Sequence, residues 1–164
     1  MADKKIIAIS GGNERKIYFL KQILAYTGRD AFAITSVETV QKQEKPASVL
    51  LTEEPEKFSG SPLFPACVTC FRPEKQKTGF SFHKVITYST ESNDADFTAR
   101  NIRALPEGGT AFEIVGVGII GRARLKAGCA EDVQDALAAA TAAIAVGIPL
   151  AEILEALNRL EPSA

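Results

Sequence analysis

The chain has 164 residues, of which 46% are hydrophobic and 24% are charged, a composition typical of a globular protein. Its formal net charge of -1 gives no general attraction to nucleic acid or to an anionic membrane. No apolar run approaches the ~20 residues that a membrane span needs, and the start is too quickly polar for a signal peptide. Three cysteines do not make a disulfide framework. We therefore expect a soluble protein of the reducing cytoplasm.

The first part of the chain has the pattern of alternating strands and helices. Residues 6–9 form a short apolar run typical of a strand covered on both faces, and a glycine turn separates them from an amphipathic helix with Ile17, Leu20, Ile23 and Leu24 on one side. Gly28 marks the end of this helix, and residues 31–35 predict the next strand, which completes a βαβ unit with a P-loop-like start. Further strands are predicted at residues 48–52, 66–71 and 85–88, and residues 38–46 are interpreted as a polar surface connection.

The second part has a different character. Residues 97–105 and 110–117 flank a turn rich in glycine and predict a hairpin, to which residues 119–126 add a third antiparallel strand. Two helices follow, the second opened by Pro149. The fold class is therefore predicted to be α/β, a parallel sheet flanked by helices with a small antiparallel sheet and two C-terminal helices. It is predicted as one domain over residues 1–164, divided into a parallel α/β part (1–90), the small antiparallel sheet (91–128) and the C-terminal helices (129–164).

The glycine turn after the first strand is the candidate ligand site. Such a turn directs free backbone N–H groups and the helix dipole toward an anion. The phosphate-binding candidates are Gly11, Gly12, Asn13, Arg15 and Lys16. An ATP-hydrolysing loop also needs a lysine directed at the β and γ phosphates and a following hydroxyl for magnesium. No hydroxyl follows here, and Glu14 adds a negative charge, so the other interpretation is a glycine pair that only makes a tight turn.

Other chemically suggestive residues are interpreted as structural. Cys67 and Cys70 form a C-x-x-C in a β-like run, which places their side chains on opposite faces and disfavours a redox or zinc site. His83, the only histidine, is expected at the surface or at a strand end. An acidic cluster is interpreted either as a magnesium site or as a solvated loop; it consists of Glu53, Glu54 and Glu56. Four arginines form either a site for an anion or partner or a solvated face; they are Arg100, Arg103, Arg122 and Arg124. No catalytic residue and no metal site is predicted.

The order of these segments resembles the central ATP-binding domain of the Mur ligases. Residues 6–13, Ile-Ile-Ala-Ile-Ser-Gly-Gly-Asn, are similar to the strand that leads into the family's Gly-Thr-Asn-Gly-Lys-Thr-Thr loop. Val-Ile-Thr-Tyr at 85–88, Ala-Arg-Asn-Ile at 99–102 and Val-Gly-Ile-Pro at 146–149 look like the end of that domain and its closing helices. The resemblance covers about two thirds of the chain, in two blocks.

Mur ligases are cytoplasmic bacterial enzymes of peptidoglycan precursor synthesis. They use ATP and magnesium to activate a carboxylate as an acyl phosphate, which an amino acid then attacks. The resemblance implies a bacterial source and a parallel sheet flanked by helices, with a small antiparallel sheet alongside.

The sequence departs from the family's pattern at its catalytic positions. The family's second loop glycine corresponds to Glu14, its lysine to Arg15 and its magnesium-binding hydroxyl to Lys16. Asp132 occupies the position nearest to an asparagine that the family places close to the adenine. Residues 53–57 stand where the family usually has an Asn-x-x-x-Asp-His segment, and the carboxylated lysine and the flanking substrate and amino-acid domains have no counterpart in these residues.

Three hypotheses about function follow. The first is a catalytically inactive Mur ligase-like protein that acts as a binding or regulatory module. The second is a nucleotide-binding ligase subunit completed by another chain, with ATP and magnesium as its cofactors. The third is a structural homo-oligomerisation domain that associates through a sheet edge or its alanine-rich helix. The partners considered are a nucleotide or other anion, a protein or a second copy, but neither nucleic acid nor a membrane.

Overall fold

The computed structural model describes residues 5–11, 14–29, 32–73, 81–126 and 130–160. Within them the strands are β1 (Lys5–Ile9), β2 (Phe32–Ser36), β3 (Val49–Leu51), β4 (Ala66–Cys70), β5 (Lys84–Ser89), β6 (Phe97–Ala104), β7 (Thr110–Gly116) and β8 (Ile119–Leu125). The helices are α1 (Glu14–Tyr26), α2 (Val37–Gln43), α3 (Ala130–Ala145) and α4 (Leu150–Asn158), with a short 3₁₀ turn at Pro55–Lys57.

All of these strands belong to one sheet with the order β2-β1-β3-β4-β5-β6-β7-β8. Strands β1 to β6 pair in parallel, and β6, β7 and β8 pair antiparallel. The predicted α/β fold class is confirmed. The antiparallel part continues the parallel sheet, because Tyr88 of β5 and Phe97 of β6 lie in register. Among the described helices, none has both the length and the hydropathy that a membrane crossing requires.

Helices cover both faces of the parallel part. Helices α1, α3 and α4 pack on one face and enclose the larger core, while α2 covers the other face over Ala8 and Leu50. The alanine-rich segment of α3 is fully buried, and its small side chains let the helix lie close to α1 and to strands β3 to β7. This helix therefore packs against the sheet.

The predicted surface connection at residues 38–46 is wrong in part, because most of it is helix α2. Ser36 caps this helix by accepting a hydrogen bond from the Thr39 backbone N–H, and Glu44 ends it in a left-handed conformation with φ 54°. The helix exists because Val37 and Val40, three residues apart, lie on one side and are buried. Their polar neighbours concealed this short apolar stripe in the sequence.

The strand order reverses at β1, and this reversal positions the candidate site. From β1 the chain passes through α1 to β2 on one side, then through α2 to β3 on the other side. The connecting helices lie on opposite faces of the sheet, which leaves a crevice beyond the carboxyl ends of β1 and β3. Open α/β sheets bind ligands at this kind of switch point.

Candidate functional site

The glycine turn lies at the mouth of this crevice. The Ser10 backbone N–H donates to the Leu51 carbonyl at 3.1 Å, which extends the pairing of β1 and β3 to the start of the turn. Gly11 follows with φ +89°, a conformation that glycine adopts without steric cost. Gly12 and Asn13, two of the predicted phosphate ligands, lie outside the described residues. The described residues enclose a cavity of about 120 Å³ here, lined by Ile9, Ser10, Gly11, Lys16, Leu51, Thr52 and Glu53.

Lys16 is directed into the crevice and is paired with an acidic side chain. It lies in the first turn of α1, and its Nζ is 3.0 Å from Oε1 of Glu53, directly beyond the end of β3. The Lys16 side chain is only 7% exposed, whereas that of Glu53 is 51% exposed. The backbone N–H of the next residue, Glu54, donates to Thr52 Oγ1 at 3.0 Å, which fixes the turn that carries Glu53. The ammonium therefore lies inside the crevice with a carboxylate at its outer side.

Arg15, the second candidate cation, contacts an acidic residue of α3 and two aromatic rings of α1. Its Nε donates to Oδ1 of Asp132 at 3.1 Å, and its guanidinium lies 5.1 Å and 5.0 Å from the ring centres of Tyr18 and Phe19. Asp132 lies in the first turn of α3, where the helix dipole favours a carboxylate. The predicted adenine-side residue and a predicted phosphate ligand are therefore in direct contact, as an ion pair that joins α1 to α3.

The two ion pairs together cancel the positive charge that the loop would offer to a phosphate. An anion at the turn competes with Glu53 for Lys16 and with Asp132 for Arg15, both at hydrogen-bonding distance. Sequence reasoning missed these pairings, since it considered Glu53 only as a metal ligand or a solvated side chain. The available signal was positional: an acidic residue follows the strand that lies beside β1, and carboxyl ends of parallel strands meet at one edge of the sheet.

A second polar group extends the site along the same edge, toward the ends of β4 and β5. The Tyr88 hydroxyl is buried and has no hydrogen-bond partner among the described residues. Its pKa is raised, chiefly by burial and then by electrostatic interaction with Cys70, Glu53 and Asp135. The Cys70 thiol, whose pKa burial also raises, accepts a weak contact from Gln134 Nε2 at 3.9 Å. No sequence signal distinguished Tyr88 from an ordinary core residue.

The remaining candidates are in separate places. Cys67 and Cys70 are free thiols on β4, three residues apart and therefore on opposite faces as predicted, and burial raises the Cys67 pKa to about 12. His83 is exposed directly before β5, as expected of a strand-end residue. Glu54 pairs with Lys57, whereas Glu53 pairs with Lys16. Within the described ranges no three His, Cys, Asp or Glu side chains converge as metal ligands.

A larger cavity of about 500 Å³ opens on the other side of the turn, at the carboxyl ends of β1 and β2. Its volume is in the range of small-molecule sites. The cavity is lined by the apolar side chains of Ile9, Ile17 and Ile34 and by Gly11, Thr35 and Ser36 through their backbone and hydroxyl groups. Two oppositely charged residues, Lys21 and Glu38, complete the lining. Because Gly11 borders both cavities, a molecule in the larger one contacts the glycine turn without entering the crevice of Lys16.

Comparison with solved structures identifies the architecture. The chain superposes on MurF from Acinetobacter baumannii with a TM-score of 0.74 at 15% identity, over 98% of this chain and 46% of that one. The MurF ligase from Thermotoga maritima in complex with ADP superposes with a TM-score of 0.71 at 9% identity, over 98% of this chain and 49% of that one. A pseudomurein peptide ligase type C from Methanothermus fervidus superposes with a TM-score of 0.66 at 15% identity, over 99% of this chain and 51% of that one. No protein-family model and no curated protein matches the sequence.

These comparisons establish the fold of the Mur ligase central domain and confirm the resemblance found in the sequence. The chain spans about half the length of the solved structures that it matches.

Proposed function

We propose that this protein is a catalytically inactive relative of the peptidoglycan-precursor ligases that acts as a cytoplasmic binding or regulatory module. The observation that carries the proposal is the Lys16–Glu53 ion pair. Lys16 stands where the resemblance places the magnesium-binding hydroxyl. Its ammonium brings a fixed positive charge into the crevice, and a nearby Mg²⁺ would be repelled by it.

The charge arrangement also disfavours a bound triphosphate. Both loop cations already interact with carboxylates at about hydrogen-bonding distance, and Glu14 begins α1 at the end where phosphate would bind. To release either cation, a nucleotide must break an ion pair, and freed carboxylates would then repel the phosphates. The crevice of about 120 Å³ that the described residues enclose is also smaller than typical ligand sites.

The binding role is assigned to the larger cavity beside the turn. Its apolar floor and its Lys21 and Glu38 rim suit a small zwitterionic molecule with an apolar side chain. We place this ligand on the β1–β2 side of Gly11, where it does not compete with the two ion pairs. The module would respond to such a molecule without consuming ATP.

A thermal-shift titration with ATP, ADP and magnesium tests the proposal. The natural chain is expected to show no nucleotide-dependent rise in melting temperature and no ATP hydrolysis. A ligand at a hundred times its dissociation constant would raise stability by ~2.7 kcal/mol, a shift of several degrees. A magnesium-dependent shift of that size, abolished by Arg15→Ala and Lys16→Ala, would refute the inactive-module proposal.

A variant with a restored loop provides the matched control. The triple substitution Glu14→Gly, Arg15→Lys and Lys16→Thr supplies the glycine, lysine and hydroxyl that the resemblance requires. We expect this variant to gain a magnesium-dependent nucleotide shift that the natural chain lacks, because it removes the Lys16–Glu53 ion pair and the Glu14 carboxylate and replaces the arginine held by Asp132 with a lysine. If both proteins respond equally to ATP, the side chains at these three positions do not decide nucleotide binding.

The ligase-subunit hypothesis is the second candidate, and one observation favours it. The chain matches about half of the three related structures named above, and one of these, MurF from Thermotoga maritima, is described in complex with ADP. A partner chain that draws Glu53 or Asp132 away would free the loop cations. In that case nucleotide binding appears only after the partner is added.

A further inference from the structure

The outer face of the antiparallel part carries a cluster of arginines that the nucleotide loop does not explain. Strands β6, β7 and β8 place side chains in two rows there: Arg100, Glu113 and Arg122 in the first, and Arg103, Ala111 and Arg124 in the second. All four arginines are exposed. Because neighbouring strands lie ~4.8 Å apart, each pair of arginines begins ~10 Å apart across β7.

A bulge in β6 is what brings these arginines to one face. Residues three apart in a regular strand point to opposite faces. The register of β6 against β7 shifts between Arg100 and Arg103, and Asn101 within the shift has φ 52°. The Asn101 side chain donates to Glu113 Oε1 at 2.6 Å. The bulge therefore turns Arg103 to the same side as Arg100, as bulges next to functional surfaces commonly do.

The face is positively charged although the protein is not. Its four arginines are opposed by two carboxylates, those of Glu113 in the first row and of Glu107, whose Oε1 lies 3.9 Å from Arg124 Nη1. The net charge of the face is therefore +2, whereas the formal net charge of the whole chain is -1. Within the described chain, Arg100, Arg103 and Arg122 form no ion pair. A cavity of about 390 Å³ lies over the small side chain of Ala111, between Arg103 and Arg124.

An apolar patch adjoins the arginines at the tip of the β7–β8 hairpin. Val117 is 97% exposed and Ile120 is 65% exposed, and three of the four exposed large hydrophobic side chains among the described residues lie at this tip. Ile120 pairs with Val115, two positions along the strands from Glu113 and Arg122, which is the next row on the same face of the sheet. Protein-binding surfaces have an apolar core and are enriched in Arg, and this face combines exposed apolar side chains with arginines.

The free edge of β8 is partly closed, which determines how a partner docks. Asn158 Oδ1 of α4 accepts a hydrogen bond from the Arg124 backbone N–H at 2.7 Å, and its Nδ2 donates to the Arg122 carbonyl at 3.4 Å. These contacts occupy the backbone groups that an added strand would need. A partner therefore binds across the face, through side chains.

We propose that this face, made of the four arginines with Val117 and Ile120, binds an acidic segment of a partner protein that carries an apolar side chain among its carboxylates. The guanidiniums pair with the carboxylates, and the cavity over Ala111 leaves room for one of them between Arg103 and Arg124. The hairpin tip takes the apolar side chain. A phosphate polymer would satisfy the arginines but leave the tip uncovered.

Fluorescence anisotropy with a labelled, glutamate-rich random copolymer of glutamate and tyrosine tests this inference. The natural chain is expected to bind it saturably and more weakly as salt is raised. The double variant R103Q/R122Q should bind ~10-fold more weakly, from two lost charge contacts. V117S/I120S should weaken binding of the copolymer but not of pure polyglutamate. K84Q, at an exposed position of β5 away from the face, is the control and should bind normally.

Three results would overturn the inference. One is the absence of saturable binding by the natural chain. Another is binding of double-stranded DNA as tight as that of the copolymer, with V117S/I120S unaffected, which indicates a simple polyanion site. The third is a concentration-dependent dimer in sedimentation that V117S/I120S dissociates, which makes a second copy the occupant. All substituted residues are exposed, and circular dichroism of each variant confirms that it is folded.

Discussion

Removing the carboxylate of Glu53 should destabilise the fold more than removing the ammonium of Lys16, although each change breaks the same contact. The reason is the difference in burial, 7% exposure for the Lys16 side chain against 51% for Glu53. Glu53→Gln leaves a charge inside the crevice without its carboxylate partner. Lys16→Met leaves a carboxylate that water can solvate, and it also removes a positive charge from the first turn of α1, where the helix dipole disfavours it.

The free-energy cost of breaking the Lys16–Glu53 ion pair lies between two known limits. Exposed ion pairs contribute ~0.2–1 kcal/mol, and breaking a buried pair costs ~3–5 kcal/mol. Since one partner is buried and the other half-exposed, we expect Glu53→Gln to cost ~1–3 kcal/mol and Lys16→Met less than ~1 kcal/mol. The double variant should be more stable than Glu53→Gln alone.

Urea denaturation of the natural chain, both single variants and the double variant gives the coupling energy of the pair. The exposed pair Lys57–Glu54, with side chains 63% and 51% exposed, serves as the matched control and should show a coupling below ~0.5 kcal/mol. Equal costs for the two single substitutions at Lys16 and Glu53, or a coupling no larger than that of the control, would refute the view that a buried ammonium occupies the crevice.

Three further predictions concern the scaffold. Asn101→Val should destabilise the protein by ~1–2 kcal/mol because a β-branched residue is strained at φ 52°; Asn101→Gly should be tolerated, and equal urea midpoints for the two would contradict this. Gly109→Ala should cost more than ~2 kcal/mol, since the added methyl carbon would lie 2.1 Å from the Leu125 carbonyl oxygen at a residue with φ +90°; an unchanged melting temperature would contradict the close packing there. Burial raises the pKa of the Cys67 thiol from 9.0 to about 12, so between these pH values the thiol ionises in the unfolded chain but not in the folded one. The free energy of unfolding should therefore be unaffected by this thiol below pH 9 and should fall as the pH rises toward 12. Cys67→Ala should reduce this alkaline loss when the free energy of unfolding is measured against pH.

The sequence alone determined the order of elements in most of this fold. The apolar run of β1, the heptad-like spacing of α1 and the hairpin turn before Thr110 each carry a local signal, because periodicity and turn chemistry are written in neighbouring residues. The same holds for Gly11 and Gly28, whose positive φ angles agree with their predicted places at a turn and a helix end. Helix α2 escaped prediction because only two of its residues are buried.

The candidate site was determined in part by sequence and in part by tertiary structure. The residue types at Glu14, Arg15 and Lys16 already departed from a magnesium–nucleotide loop, since they contain no hydroxyl. Their partners could not be read from the chain. Lys16 and Glu53 are 37 residues apart and Arg15 and Asp132 are 117 apart, so only the parallel pairing of β1 with β3 and the packing of α1 on α3 bring them together.

The same division holds on the antiparallel part. The sequence supplied four arginines on two strands, but the side to which each one points depends on register. A single extra residue at Asn101 decides whether Arg103 lies beside Arg100 or on the opposite face. Local patterns thus fix which elements form, whereas the strand order and one bulge decide which charges meet. Charges interact through space, and the separation of two charged residues along the chain does not tell how close they lie in the folded protein.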